Sequence, residues 1–225
     1  DVLIGLGAQA RALGGTGTAA FFGAENALTN PGLLGKSVGT EFSIGGTAFM
    51  PDVEATTNVA VQPGQPAVSQ TSDNDMNIIP EVALSTRLND NLTFGLGMFG
   101  SAGMGVDYRD NGGLPEGSPL AGGADGTGLF NGYSNLQLMK FAPTIAYNEA
   151  NFGIGFAPVI QYGSLDINFK SFTQDDNQDG TADDPDVNNI GNGMSTDLGF
   201  GFNLGGYFDI SKELTVALAY QSAIM

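Results

Sequence analysis

Apolar and polar side chains alternate along most of the chain from about residue 37 onward. Seven segments share this pattern: residues 42–50, 78–88, 92–98, 141–148, 152–169, 198–208 and 214–220. In the second segment, for example, Val82 and Leu84 fall on one face while Glu81 and Ser85 fall on the other. Successive side chains of a β-strand point to opposite faces, so this period of two predicts seven strands, each with one apolar face.

The connections between the predicted strands alternate strictly between long and short. The long ones are residues 51–75, 109–131 and 170–193, and the short ones are residues 89–91, 148–150 and 211–213. A soluble β-sandwich would also show alternating side chains, but it has no reason to sort its connections by length. An up-and-down outer-membrane barrel has tight periplasmic turns and longer extracellular loops. The sequence therefore predicts an all-β fold, a transmembrane antiparallel up-and-down β-barrel in the bacterial outer membrane.

The composition fits a barrel and argues against several kinds of chemistry. Only 14% of the 225 residues are charged, glycine occurs 35 times, and cysteine and histidine are absent. Low charge suits a chain that meets lipid on one face, and the missing thiols and imidazoles exclude most familiar catalytic and zinc-binding constellations. An enzyme using carboxylates alone is the remaining alternative, but no strand carries a paired-acid motif. The formal net charge of −17 repels nucleic acid. We therefore expect a protein that is not an enzyme, has no catalytic residues and requires no cofactor.

The number of strands indicates an incomplete barrel. Bacterial single-chain barrels contain an even number of strands, and seven is odd. An open sheet edge in hydrocarbon would leave unpaired backbone groups, each at a cost of several kcal/mol. We therefore expect that the 225 residues are a fragment, or that a C-terminal half or another chain completes the barrel.

Residues 1–36 do not follow the strand pattern. An apolar stretch at residues 2–4 precedes Gly5-x-Gly7-x-x-Ala10, which has the spacing of a dinucleotide-binding fingerprint. Such a match needs a continuing helix, a second strand and an acidic residue within a βαβ unit. A β meander follows instead, so this interpretation is the weaker one.

A second motif in the same segment carries a family resemblance. Residues 7–19 read Gly-Ala-Gln-Ala-Arg-Ala-Leu-Gly-Gly-Thr-Gly-Thr-Ala, and the tripeptide Asn30-Pro31-Gly32 follows. This opening, the tripeptide and the long antiparallel barrel after them together resemble the FadL/TodX family of outer-membrane transport proteins. The tripeptide usually ends in alanine in that family, so glycine at position 32 predicts a looser turn.

The resemblance implies a fold and a function. The fold is a fourteen-stranded barrel closed by an N-terminal hatch, so residues 1–36 would be the hatch and residues 37–225 the first seven strands. The function is passive uptake of hydrophobic compounds such as long-chain fatty acids or hydrocarbons. Such a compound is caught in an outer groove, passes to a pocket in the barrel, and leaves sideways at a kink in the third strand. Hydrophobic small molecules and outer-membrane lipid or lipopolysaccharide are therefore the expected partners.

Two sets of residues are candidates for this function. The ligand path or plug set is Phe21, Phe22, Asn30, Pro31, Phe49 and Phe99, and the lateral gate set is Gly100, Gly103 and Gly105. For the two adjacent phenylalanines, simple packing of the hatch is the alternative interpretation. Glycine inside a strand often marks a bulge or bend, so a structural bend is the alternative for the gate set.

The loop at residues 175–186 matches the spacing of a calcium-binding loop. Its candidate ligands are Asp175, Asn177, Asp179, Thr181, Asp183 and Asp186. Gly180 stands at the sixth position, where such a loop turns sharply, and the twelfth position holds Asp in place of the usual Glu. Calcium would stiffen an extracellular loop, and a solvated acidic loop is the alternative. The pattern also leaves open a second function, a surface-structural or adhesive barrel with calcium-ordered loops.

Overall fold

A computed structural model describes residues 5–56, 69–108, 132–172, 187–191 and 193–225 of the chain. The strands are β1 (Thr40–Phe49), β2 (Glu54–Thr56), β3 (Ser69–Thr71), β4 (Asn77–Arg87), β5 (Leu92–Asp107), β6 (Tyr133–Glu149), β7 (Phe152–Phe172), β8 (Val187–Ile190), β9 (Ser195–Asp209) and β10 (Thr215–Gln221). The helices are α1 (Ala8–Ala12) and α2 (Asn26–Thr29), with 3-10 turns at Gly23–Glu25 and Pro31–Lys36. None of the helices in these ranges is long and apolar enough to cross a membrane.

Seven long strands form one antiparallel sheet, which we call the wall. Its order is β1-β4-β5-β6-β7-β9-β10, so each strand pairs with the next long strand along the chain. This confirms the seven predicted strands and their meander. In the described part of the chain the sheet is open, with β1 and β10 at its two edges. The three short connections lie at one end of the wall, the short-turn end, and the strand ends that lead into the three long connections lie at the other, the long-loop end.

Three short strands were not predicted. β2 pairs with β3 inside the first long connection, and β8 pairs with the end of β7 inside the third. Each has only three or four residues, which is too short for an alternating pattern to stand out. They extend the long-loop end of the molecule beyond the wall.

The two faces of the wall differ in the way that the alternation predicts. On the outer face, Val82 pairs with Met98 and Leu84 pairs with Leu96. Apolar side chains on this face stay exposed, and Phe42 and Leu218 keep 66% and 78% of their surface. The exposed apolar side chains of this face include Phe42, Ile44, Ile78, Leu96, Ile154, Phe156, Phe200, Leu204 and Leu218. A soluble monomer rarely leaves so continuous an apolar surface uncovered, so the face suits contact with lipid.

Residues 5–36, which we call the N-terminal segment, lie on the inner face. The amide of Asn203 and that of Gln221 both donate to the carbonyl oxygen of Leu28, at 3.2 and 3.0 Å. Small wall residues leave room for the segment, and one buried cluster joins the two parts: Ala24, Leu28, Ala83, Phe99, Ala142, Ala157 and Val159. The core of this protein is therefore the contact between the segment and the wall.

Glycines bring the backbone of the segment directly against the wall. A Cβ atom on Gly155 of β7 would overlap the carbonyl group of Pro31 and lie 2.6 Å from the amide nitrogen of Gly32. A Cβ atom on Gly32 would lie 2.8 Å from the carbonyl oxygen of Gly205 in β9. Gly32 is buried and permits close packing against β9, while the looser turn expected there stays a prediction.

Candidate ligand cavity in the wall

The wall is interrupted between β4 and β5. Their ladder begins at the pair Arg87 and Thr93, near the short-turn end, and ends at the pair Glu81 and Phe99. Beyond that point β4 continues to pair with β1, and β5 continues to pair with β6. Residues 77–80 of β4 and residues 100–106 of β5 thus border a gap in the sheet, which we call the wall opening.

Local sequence explains why the two strands part here. Pro80 has no N–H group to donate across a ladder. On the other side, the register of β5 against β6 shifts between Gly100 and Ala102, which leaves Ser101 as a bulge. Glycine weakens a strand and a bulge bends it. The break in strand regularity that the glycines predicted is therefore present in the structure.

The wall opening is bounded at the long-loop end as well. The backbone N–H of Asp73 donates to the carbonyl oxygen of Asp107 at 2.8 Å, and the N–H of Asp107 donates to Ser72 Oγ at 2.9 Å. These bonds tie the end of the first long connection to the end of β5. The wall opening is consequently enclosed on all sides: by β4 and β5 along its length, by the pair Glu81 and Phe99 at one end, and by these hydrogen bonds at the other.

A cavity of about 310 Å³ occupies the wall opening. Its lining comes from β1, β4, β5 and β6 and is mainly apolar, with Phe49, Ile78, Ile79, Met104, Leu136 and Leu138 among the side chains. Ligand pockets are usually lined in this way, with a small number of polar groups that orient the ligand. Asn77, Ser134, Asn135 and Gln137 are the polar residues of this lining.

Four of the residues singled out from the sequence meet at this cavity. Phe49 lines it from the end of β1, and Gly100, Gly103 and Gly105 line it from β5. These four come from two strands that are not neighbours in the wall, so only the folded sheet brings them together. Their roles in ligand passage and gating stay predictions.

The other candidates lie in the packing of the N-terminal segment. Phe99 is 0% exposed and packs in the buried cluster. The ring of Phe22 lies against Gly17, while Phe21 is exposed on the segment. Asn30 is fully buried and bridges distant parts, because its amide donates to Thr18 O at 2.7 Å and to Gly206 O at 3.2 Å.

Pro31 belongs to the same junction, since its carbonyl group faces Gly155 and its Cδ lies 2.8 Å from a Cβ atom placed on Gly205. The asparagine and the proline of the tripeptide therefore dock the segment on β7 and β9.

Lys140 is a candidate functional residue that the sequence analysis did not identify. It pairs with Phe99 on one side and with Gln161 on the other, which places its side chain on the inner face. The side chain is half-buried, and among the residues that the structure describes none forms an ion pair or hydrogen bond with its amine. The signal was present, because position 140 directly precedes the predicted segment 141–148 and, by the period of two, falls on the same face as Ala142 and Thr144.

Charged groups lie between the segment and the wall at the short-turn end. Lys36 Nζ is 2.8 Å from Asp209 Oδ1 and 4.3 Å from the ring centre of Tyr207. The guanidinium of Arg87 donates to Ser37 O at 2.9 Å and to Asp90 O at 2.6 Å. An apolar molecule moving along the inner face toward this end would have to displace the segment and separate these charged contacts.

The calcium prediction, with Asp175, Asn177, Asp179, Thr181, Asp183 and Asp186 as ligands, lies outside the described residues. It stays a prediction, as does the adhesive function that depends on it. Within the ranges that the structure describes, no group of three or more acidic side chains is arranged to hold a metal ion.

Comparison with known proteins identifies a family and two solved structures of similar fold. Residues 5–225 match the family model described as outer membrane protein transport protein (OMPP1/FadL/TodX). No match to the chain was found among curated proteins. The fold is similar to that of a solved toluene transporter, TodX of Pseudomonas putida, with a TM-score of 0.66, 18% identity and 98% of this chain covered.

It is also similar to CymD, a monoaromatic hydrocarbon channel, with a TM-score of 0.64, 16% identity and 97% of this chain covered. The chain spans 55% of the length of the first of these proteins and 53% of the second. At these identities the likeness concerns the fold.

Proposed function

Because this chain belongs to the OMPP1/FadL/TodX family of outer membrane transport proteins and its location is the outer membrane, we propose that it takes up hydrophobic compounds passively. The compound binds in the cavity of the wall opening and leaves sideways between β4 and β5. The observation that carries this proposal is the position of an apolar cavity inside the gap where β4 and β5 part. No covalent step is involved.

The polarity of the two routes supports lateral release. A compound that leaves through the wall opening passes from apolar lining to the apolar outer face, which faces lipid. Keeping apolar surface out of water stabilises by about 25 cal/mol for each Å². A compound that takes this route never exposes its apolar surface to water, so it does not lose that free energy. The other route leads past the N-terminal segment, where Lys36, Arg87 and Asp209 lie. We infer that the segment acts as a hatch that closes this route.

The remaining strands of the barrel belong to the same proposal. Open edges at β1 and β10 would leave unpaired backbone groups in hydrocarbon, at several kcal/mol each. The solved structures of the same fold are nearly twice as long as this chain. We propose that a C-terminal half, or another chain, supplies strands that join these two edges.

The substrate class that we favour is an anionic amphiphile such as a long-chain fatty acid. Lys140 faces inward and pairs with Phe99, at which the ladder between β4 and β5 ends. It follows Leu138 and Met139 of the cavity lining along β6. A half-buried cation without a carboxylate partner among the described residues is a favourable place for an anionic head group. A neutral hydrocarbon, the compound named for both similar structures, is the alternative.

The proposed function predicts uptake by the reconstituted protein. Liposomes that contain the full-length barrel should accumulate a radiolabelled long-chain fatty acid faster than empty liposomes do, because the barrel offers an apolar path. Uptake should be passive and should stop when the concentrations inside and outside are equal. Equal rates with and without the barrel would remove transport from the proposal.

Lys140→Met tests the head-group assignment separately. The substitution keeps the length of the side chain and removes the charge, so fatty-acid binding should weaken while binding of a neutral aromatic hydrocarbon should not change. A charge-assisted hydrogen bond contributes about 1.5–3 kcal/mol, which corresponds to roughly a tenfold to hundredfold rise in Kd. Calorimetry of the full-length protein in detergent measures both ligands. Lys212→Met, in the turn between β9 and β10, is the matched control, and an unchanged fatty-acid Kd for Lys140→Met would refute this role.

A further inference from the structure

An ion pair joins the N-terminal segment to the wall beside the wall opening. Arg11 of α1 donates from Nη2 to Glu81 Oε2 at 2.9 Å and from Nη1 to Glu81 Oε1. The carboxylate is almost fully buried, with 6% of its side chain exposed. Two parallel bonds fix both the distance and the orientation of the partners, which is the advantage of a guanidinium over an ammonium group.

The partner in the wall stands at a particular place in the sheet. Glu81 and Phe99 form the last pair of the ladder between β4 and β5, so Glu81 is the foot of the wall opening on the β4 side. Two residues farther on, Ile79 covers Gly100 across the gap, because a Cβ atom on Gly100 would overlap Ile79 Cγ2. Any shift of β4 at Glu81 would therefore move the side chain that narrows the opening at its foot.

A second carboxylate strengthens the dependence on Arg11. Glu25 lies on the segment and interacts electrostatically with Arg11. Its Oε1 accepts a hydrogen bond from Ser43 of β1 at 2.9 Å, while its Oε2 is buried and has no hydrogen-bond partner among the described residues. Loss of Arg11 would leave two carboxylates, the almost fully buried Glu81 on β4 and Glu25 on the segment, without the cation with which both interact. Their repulsion would push β4 away from the segment.

We propose that Arg11 and Glu81 are positioning residues that set the width of the wall opening at its foot. The pair does more than attach the segment to the wall, because it acts on the strand residue at which the ladder ends. The proposal rests on the lateral release proposed above, and it assigns to the segment an effect on the exit itself. The second ion pair between the same two parts, Lys36 with Asp209, lies at the short-turn end and provides the comparison.

A cysteine pair across the foot of the opening tests the proposal directly. A Cβ atom on Gly100 lies 3.6 Å from Ile79 Cβ, which is within the range that a disulfide requires. The chain contains no cysteine, so Ile79→Cys with Gly100→Cys should give a single crosslink in the full-length barrel in membranes. Mild oxidation should form this disulfide readily. The rate of crosslinking is measured from gel mobility before and after proteolysis between the two cysteines.

The variants are then compared in this cysteine-pair background. Arg11→Met and Glu81→Gln should each slow crosslinking by about fivefold or more, since small displacements take Cβ atoms out of disulfide range. Lys36→Met should leave the rate unchanged, and Arg11→Lys should recover part of it. Equal slowing by Arg11→Met and Lys36→Met would overturn the proposal, because both pairs would then be simple anchors. Unchanged crosslinking in Arg11→Met and Glu81→Gln would overturn it as well.

Crosslinking is measured without any substrate, so this result does not depend on uptake. If the rates behave as expected while liposome uptake fails, the positioning role stands and the proposed function falls. Heat-dependent gel mobility identifies variants that have lost the folded barrel. If Arg11→Met is one of them, Glu81→Gln, which keeps the size and shape of the side chain, decides the outcome.

Discussion

Gly103→Trp should block lateral release while the barrel stays folded. A Cβ atom on Gly103 would lie 3.6 Å from its nearest neighbour, the carbonyl oxygen of Leu136, which is an ordinary contact distance. A side chain can therefore begin at this position without moving the backbone, and because Gly103 lines the cavity of about 310 Å³, the indole ring should fill part of it. Because close-packed side chains leave no room for a second molecule, we expect uptake to fall by about tenfold or more.

Gly103→Ala is the matched control for this substitution. It adds a single methyl group at the same position, so uptake should stay close to that of the unchanged protein. Fatty-acid uptake by liposomes measures both variants, and heat-dependent gel mobility verifies that each is folded. Normal uptake by Gly103→Trp would show that compounds do not pass between β4 and β5.

Gly155→Ala should detach the N-terminal segment from the wall. The new methyl group would meet backbone atoms of Pro31 and Gly32, and backbone held by Asn30 and by the buried cluster has little freedom to retreat. Overpacking of this kind usually destabilises by about 1–3 kcal/mol, and occasionally by more. Guanidinium unfolding of the full-length barrel should therefore show a lower midpoint, and planar bilayers should show ion leakage through a barrel whose hatch has moved.

Gly45→Ala provides the comparison on the same inner face. A Cβ atom there would lie 3.6 Å from Glu81 Oε2, its nearest neighbour, so neither stability nor leakage should change. Equal unfolding midpoints and equal leakage for the two alanine variants would mean that the close packing of the segment against Gly155 does not contribute to stability.

The alternating pattern was sufficient to predict the wall. Strands of seven residues or more repeat the period at least three times, and the sorted connection lengths give the meander between them. The period of two also predicts the faces of the strands, since it puts Glu81 and Ser85 opposite Val82 and Leu84. The strands β2, β3 and β8 escaped prediction because pairing within a long loop leaves no periodic signal in three or four residues.

The site required knowledge of register, which the pattern of a single strand does not contain. The glycines of β5 predicted a bulge, but the opening exists because the ladder from β4 stops at Glu81 and Phe99. Arg11 and Glu81 are 70 positions apart in the chain, and their charges alone do not identify them as partners. The same reasoning applies to Gly155, because nothing local indicates that backbone from residues 31 and 32 lies against it.

The contacts of the N-terminal segment constrain the order of events during biogenesis. Asn30 bonds to the carbonyl oxygen of Gly206, and the Leu28 carbonyl accepts from Gln221, so residues made first depend on partners made 176 and 193 positions later. The N-terminal segment therefore lacks these contacts until β9 and β10 have been synthesised. Docking of the segment on the wall is thus a late step of folding, which comes after β10 has been synthesised.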